Sequence, residues 1–207
     1  MDGASVKSFK RQLMNFSSSY LKQLIEEISK ISSIKLEKIV QKLVNLRKRQ
    51  GRLFIIGIGG SAANASHAVN DFRKLCNIDA ITPIDNYSEF SATTNDQGFE
   101  FGFTESLKIS KINKNDLMLV LSVGGGDIKK KSSIGIINSI KLAKIKKCKV
   151  ISFTGKQDGY AGKNSDINVS LSLKKKEFLT PSAESIQPII WHCLVSHPNL
   201  QTKKTFW

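Results

Sequence analysis

The stretch Leu53–Ser66, LFIIGIGGSAANAS, constrains the chain more than any other. Leu53, Phe54, Ile55 and Ile56 form an apolar run that reads as a buried strand. The run stops at Gly57-Ile58-Gly59-Gly60-Ser61, and small, helix-tolerant residues follow at once. A strand, a glycine turn and a helix start present free backbone N–H groups and a helix dipole to an anion. The dipole contributes about 0.3–1 kcal/mol at an exposed site, so a bound phosphate needs further partners. Ser61 falls in the first turn, where its hydroxyl can cap the helix or reach a ligand. Without a ligand, the same stretch is a tight βα turn. Two nucleotide-binding loops are excluded. No Gly-Lys-Ser/Thr follows, and Ala62 stands where the dinucleotide pattern needs its third glycine. No nucleotide cofactor is expected.

The flanking pattern is a regular alternation of helix and strand. Residues 5 to 31 carry Phe9, Leu13, Phe16, Tyr20, Leu24, Ile28 and Ile31 at spacings of three and four, which predicts a long amphipathic helix. A second helix, from about Lys35, places Leu36, Ile39, Val40, Leu43 and Val44 on one side and ends at Gly51. This hairpin, residues 1–50, is expected to pack on a neighbouring subunit or on its own sheet, ahead of an α/β unit over 51–207. A helix is predicted over Ala62–Leu75, a short strand over Ala80–Ile84, and a helix over Tyr87–Thr94 that breaks at Asn95-Asp96-Gln97-Gly98 before another helix to about Lys108. Leu117–Leu121 is a buried strand leading into a second glycine loop, Ser122-Val123-Gly124-Gly125-Gly126-Asp127. A helix over Ser132–Lys146, a strand over Lys149–Phe153 and an alternating edge strand over Ile167–Leu173 follow. Lys174 to Lys176 mark a solvated turn, and Thr180-Pro181 reads as an N-cap with proline at the first helical position, opening a helix to about Val195. Five strands alternating with helices imply an α/β fold with a doubly wound, mostly parallel sheet. In such sheets ligands sit beyond the carboxyl ends of the strands, so both glycine loops should face one cleft.

Composition narrows the function classes. No apolar run reaches the roughly 20 residues of a membrane span, and MDGASVKSFKRQ lacks the apolar core of a signal peptide. Cys76, Cys148 and Cys193 are odd in number and lack metal-type spacing, which suits reduced thiols and predicts a cytoplasmic protein. The net charge of +15 suggests nucleic acid, but the distribution argues against it. Only Arg11, Arg47, Arg49, Arg52 and Arg73 offer the planar fork that phosphate and base readers favour; the other basic residues are lysines spread over most segments.

GIGGSAANASHAVNDF resembles the phosphate-side segment of sugar isomerase (SIS) domains of the phosphoheptose isomerase group. NDQGF at 95–99, LSVGGGD at 121–127, TGKQDG at 154–159 and AESIQPIIWH at 183–192 fit in order, so the resemblance covers nearly the whole chain. It implies a flavodoxin-like fold and an aldose–ketose isomerase that converts sedoheptulose 7-phosphate to a mannoheptose 7-phosphate for surface polysaccharide precursors. It also implies a homotetramer with sites between subunits, some members holding zinc. By position, the family's base, a glutamate four residues after a helical histidine, is Asp71 after His67, and the acid histidine is His192. Glu184 stands for a glutamine and Gln187 for a histidine. His67, Asp71, Glu184 and His192 would make an N/O set for zinc or another divalent ion. Glu184 and His192 are eight apart, so their directions differ by about 80° on an ideal helix, and Pro188 between them bends it. The resemblance assigns substrate contact to Gly59, Gly60, Ser61, Asn95, Asp96, Ser122, Gly124, Gly125, Gly126, Glu184 and Gln187.

Three departures stand out. Asp71 is one methylene shorter than glutamate, Ile58 replaces an asparagine, and the hydroxyl-rich family loop Ser-Thr-Ser-Gly-Asn-Ser becomes Ser122–Asp127. Three glycines can still form a backbone anion nest, with Lys129 to Lys131 screening Asp127. These departures leave a second reading: a non-catalytic relative that binds a sugar phosphate or a protein partner, as the replication-initiator-binding relatives do. A third reading, nucleic-acid binding, would show as affinity falling steeply with salt. His197 has no motif partner and reads as solvent-facing at a helix end.

Overall fold

The structure, a computed structural model, describes residues 3–172 and 176–204. Five strands, β1 (Arg52–Ile56), β2 (Asp79–Ile81), β3 (Leu117–Ser122), β4 (Lys149–Thr154) and β5 (Ile167–Ser170), form one sheet in the order β2-β1-β3-β4-β5. Every neighbouring pair is parallel. The expected doubly wound sheet is therefore present, and it is parallel throughout.

The apolar runs are continuous because both faces are covered. Leu53 and Ile55 of β1, with Leu117, Leu119 and Leu121 of β3, join one core with α2 (Ser33–Lys48), α3 (Gly60–Cys76) and α8 (Leu179–Val195). Phe54 and Ile56, with Met118 and Val120, point the other way, into a core closed by α5 (Phe99–Ile109) and α6 (Ile134–Ile145). Ile39, Val40, Leu43 and Leu46 of α2 are buried in the first core, so the second helix of the N-terminal hairpin packs on its own sheet. The first helix, α1 (Gly3–Ser29), contacts that core through Leu24 and Ile28. Its buried Glu27 accepts from the Ser172 N–H at 2.8 Å and pairs with Lys30 at 2.6 Å, which ties α1 to the segment after β5. Phe16, Leu21 and Ile25 on α1 stay exposed, whereas the side chains of Phe9 and Leu13 lie outside the described residues.

Several boundaries differ from the sequence reading for local reasons. β2 ends at Ile81 because Pro83 has no N–H for the ladder; Pro83–Asp85 turns as a 3₁₀ segment instead. α4 (Tyr87–Gln97) runs through Asn95 and Asp96, and the break comes only at Gly98, whose φ is +103°. A short helix, α7 (Tyr160–Asn164), was not expected from the sequence. α8 starts at Leu179 with Phe178 as its cap, so Thr180 is not the N-cap; Pro181 still falls in the first turn, where a missing N–H costs nothing. Leu173, Lys174 and Lys175 lie outside the described residues, as do Phe206 and Trp207; Lys176 opens a 3₁₀ turn. His197 is not free in solvent: its Nδ1 accepts from the Asn199 N–H at 3.1 Å, and Nε2 lies 3.3 Å from Glu37. No described helix is long and apolar enough to cross a membrane. Burial pushes the Cys76 and Cys148 thiols up to about 12, which leaves both as neutral core groups.

Candidate active site

The site is assembled where α3 meets α8. β1 feeds α3 through Gly59, whose φ of +64° suits glycine alone, and Gly57 packs so closely on the Ser61 carbonyl that a side chain there would collide with it. α3 then carries His67 and Asp71 one turn apart on its α8-facing side. α8 contains Pro188, which has no N–H for the Glu184 carbonyl four residues earlier. Asn64 fills that vacancy. Its Nδ2 donates to the Glu184 carbonyl at 2.9 Å and to Gln187 Oε1 at 2.8 Å, and Gln187 Nε2 donates to Ser61 Oγ at 3.1 Å. This partly buried amide network fixes α8 against α3 and thereby sets where its last turns point.

Those turns bring Trp191 and His192 over Asp71. Asp71 is 8% exposed, and its carboxylate receives the Trp191 indole N–H on Oδ2 at 3.2 Å and the Asn70 amide on Oδ1 at 3.2 Å. His192 Nε2 lies 3.3 Å and His67 Nε2 3.5 Å from the same Oδ2. The two imidazoles stack edge-to-face, 5.4 Å apart, and both are half-exposed. The result is one sheltered carboxylate under two histidines that face solvent. Such a group can take up and hand over protons at a substrate carbon and oxygen. One ligand atom from each of His67, Asp71 and His192 lies within 4.8 Å of the others, so the same three side chains fit a divalent ion with a position left open.

The remaining sequence candidates are placed differently. Glu184 is not with the three: its carboxylate lies over Gly60, so that any Cβ at position 60 would strike it. Glu184 and His192 thus serve different ends of α3. Ser61 neither caps α3 nor opens to a ligand, because it is buried and bound to Gln187. Gln187 is likewise turned inward. Asn95 and Asp96 sit exposed at the end of α4, bonded to each other at 2.9 Å.

In the second glycine loop, Ser122 Oγ accepts from the Gly125 N–H at 3.0 Å, and Gly125 and Gly126 take φ of +71° and +87°. Gly124 and Gly126 border an open cleft. The chain does not enter α6 directly. Asp127 and Ser132 pair antiparallel, making a small hairpin that carries Ile128 to Lys131 at its tip. The Asp127 carboxylate caps this turn by accepting from the Lys130 N–H at 3.1 Å. Sequence reasoning missed Trp191, Asn64 and this hairpin. A tryptophan beside a histidine on an apolar face reads as core, whereas an asparagine three residues after the first glycine loop gives no sign of a partner on α8; the Asp127 turn at least had the Asx-type signal.

Residues 18–155 match the SIS domain family. Over 154 residues the chain is 30% identical to the lincomycin biosynthesis protein LmbN of Streptomyces lincolnensis, covering 71% of this chain and 56% of that protein. Over 182 residues it is 28% identical to phosphoheptose isomerase 1 of Campylobacter jejuni, covering 84% and 88%. In structure it is similar to the phosphoheptose isomerase GmhA from Neisseria gonorrhoeae, with a TM-score of 0.75 at 17% identity over 90% of this chain and 97% of that one. A phosphoheptose isomerase from Francisella tularensis gives the same TM-score at 19% identity, over 94% and 97%. With two thirds of its length inside the family match and the fold shared along nearly all of it, this chain belongs to the SIS domain family.

Proposed function

We propose that this protein is an aldose–ketose isomerase acting on a phosphosugar, with sedoheptulose 7-phosphate as the first substrate to test. The observation that carries this reading is the convergence of His67, His192 and Trp191 on one oxygen of Asp71. Isomerisation through an enediol needs a base to take the proton beside the carbonyl and an acid to protonate its oxygen. Asp71 serves as the base and returns the proton to the neighbouring carbon. His192 protonates the carbonyl oxygen and takes a proton back from the adjoining hydroxyl. His67 and Asn70 orient the carboxylate, which being one methylene shorter than glutamate depends on these partners for its aim. A divalent ion held by His67, Asp71 and His192 would polarise a carbonyl oxygen. Similarity to phosphoheptose isomerases supports the substrate class. Incubation with sedoheptulose 7-phosphate, with and without added zinc, tests the reading; an aldose product is expected, and no product under either condition would overturn it.

One observation favours the alternative of a non-catalytic relative that binds a sugar phosphate or a protein partner: Asp71 is one methylene shorter than the glutamate of the resemblance, and the loop Ser122–Asp127 lacks its hydroxyls. Titration calorimetry with the same sugar phosphate, beside the turnover assay, separates the two, because binding without turnover would match only the alternative.

Trp191 is placed as a positioning residue. Trp191→Phe keeps most of the buried ring but removes the N–H from Asp71, so kcat is expected to fall about tenfold with KM little changed. An equal rise in KM would assign Trp191 to substrate binding instead.

The assembly is proposed to be a homotetramer with sites between subunits. Phe16, Leu21 and Ile25 on α1 are 57%, 57% and 67% exposed, and an apolar stripe of this kind is normally covered. Light scattering at micromolar concentration should give four times 23.0 kDa; a monomer or dimer mass would contradict it.

A further inference from the structure

The amino edge of the sheet, opposite the glycine loops, carries a surface of its own at the ends of α5 and α6. These two helices close the same core and run side by side. At their starts, Gly135 lies against the Phe99 and Glu100 carbonyls, and the Asn138 amide donates to the Glu100 carbonyl at 3.3 Å. They are 11 and 12 residues long and lead into the parallel neighbours β3 and β4, so both end at that edge. Each ends on an exposed isoleucine, Ile109 at 60% and Ile145 at 74%.

The two ends are built alike. Lys108-Ile109-Ser110-Lys111 closes one, and Lys144-Ile145-Lys146-Lys147 closes the other. In both, the chain turns through a left-handed lysine, Lys111 at φ +53° and Lys147 at φ +57°. The next N–H returns to the helix, from Ile112 to the Leu107 carbonyl at 3.1 Å and from Cys148 to the Ala143 carbonyl at 2.8 Å. Glycine fills such a turn with the least strain, so each lysine keeps its charge there against the backbone preference. Lys114 and Lys141 add to the same face, and all of these lysines are exposed. Apart from Lys108, none of them belongs to an ion pair among the described residues. The neighbouring carboxylates are taken: Glu105 pairs with Lys108 at 2.7 Å, Asp166 with Lys149 at 2.8 Å and Asp116 with Arg52 at 2.8 Å. A dipole charge of about −0.5 at a helix end accounts for one lysine there, not three.

Isoleucines ringed by lysines fit a surface that is negative on top and apolar beneath. An anionic lipid leaflet has phosphates for the ammonium groups and acyl chains below them for the isoleucines. The phosphate backbone of a nucleic acid satisfies the lysines alone. We propose that the ends of α5 and α6 dock this protein on an anionic membrane surface, with Ile109 and Ile145 entering the headgroup layer and the surrounding lysines on lipid phosphates. Such a contact lies on the membrane rather than through it and leaves the glycine loops at the other edge uncovered. It stands independently of the phosphosugar reading.

Co-sedimentation of the whole protein with phosphatidylcholine vesicles, with and without about one third phosphatidylglycerol, tests it. The wild type should bind the anionic vesicles about tenfold more tightly or better, and less as salt rises from about 50 to about 500 mM. Ile109→Ser/Ile145→Ser should weaken that binding about tenfold while keeping its salt dependence. Lys111→Gly/Lys147→Gly should also weaken it about tenfold, yet unfold at a higher denaturant midpoint because glycine relaxes both turns. Lys22→Gln/Lys38→Gln removes the same charge from exposed positions on α1 and α2 and should bind like the wild type. No preference of the wild type for anionic vesicles, or an equal loss in the Lys22/Lys38 variant, would overturn the proposal. Unchanged vesicle binding by the isoleucine or the glycine variant would overturn it as well. A DNA duplex bound more tightly than the anionic vesicles would replace the membrane with a nucleic acid as the partner.

Discussion

Asp71→Asn and His192→Ala are each expected to lower turnover of a sugar phosphate by about 10²–10⁴-fold, the usual contribution of a positioned acid or base. The asparagine is nearly isosteric and keeps a carbonyl oxygen for the Trp191 N–H, so the buried hydrogen bond survives while the basicity is lost. His192 is half-exposed, and its truncation opens no cavity. Both variants should therefore unfold at nearly the wild-type denaturant midpoint and keep the wild-type mass. Rates must be compared per intact assembly, because a site shared between subunits would also be lost by dissociation. Near-normal turnover in either variant, with the assembly intact, would remove that residue from the mechanism. Loss of turnover together with unfolding would make the residue structural instead.

The second large effect is on stability and lies at the opposite edge of the sheet. Asp116, 2% exposed, gathers the Arg52 backbone N–H at 3.1 Å, Arg52 Nε at 3.2 Å and Nη2 at 2.8 Å, and the Asn113 N–H at 2.9 Å. The pairing with Asp116 holds the Arg52 guanidinium above its usual range. Asp116 thus joins the start of β1 to the turn that feeds β3, the pair that carries both glycine loops. Asp116→Ala removes the counter-charge of a partly buried guanidinium, which keeps only the Ser110 and Lys111 carbonyls, leaves two backbone N–H groups without their acceptor, and is expected to cost about 3–5 kcal/mol. Urea denaturation followed by circular dichroism measures it. Asp116→Asn should fall between alanine and the wild type, since it restores an acceptor but not the charge. A cost below about 1 kcal/mol for alanine would mean that water satisfies these groups as well.

What could be read in the sequence follows from which distances are local. The run from Leu53 to Ile56 and that from Leu117 to Leu121 declare a strand buried on both faces, because neighbours along a strand alternate between the two cores. His67 and Asp71 declare a shared helix face by their spacing alone. His192 could be matched to them only through the family pattern, since nothing in α8 by itself says how far its last turns lie from α3. Glu184 fails on that point. Its place over Gly60 depends on how Asn64 ties the Glu184 carbonyl to α3, a contact across more than a hundred residues. Ser61 fails for the same reason, its hydroxyl being taken by a partner 126 residues away. Trp191 gives no local sign of its role, because a buried indole and a hydrogen-bonding indole look alike in sequence. The lysine run after Asp127 was visible as charge, but its position on a hairpin beside a cleft belongs to the tertiary structure.

The central claim, that Asp71 and His192 move a proton between neighbouring carbons of a sugar phosphate, is tested most directly in deuterated water. The protein is incubated there with sedoheptulose 7-phosphate, with and without zinc, and the mixture is followed by proton and carbon NMR. A base that takes the proton from C1 and returns one to C2 should yield an aldose 7-phosphate carrying deuterium at C2, with Asp71→Asn silent under the same conditions. A wild-type protein that forms no aldose and exchanges no carbon-bound proton of the ketose, while still binding it, would contradict the account.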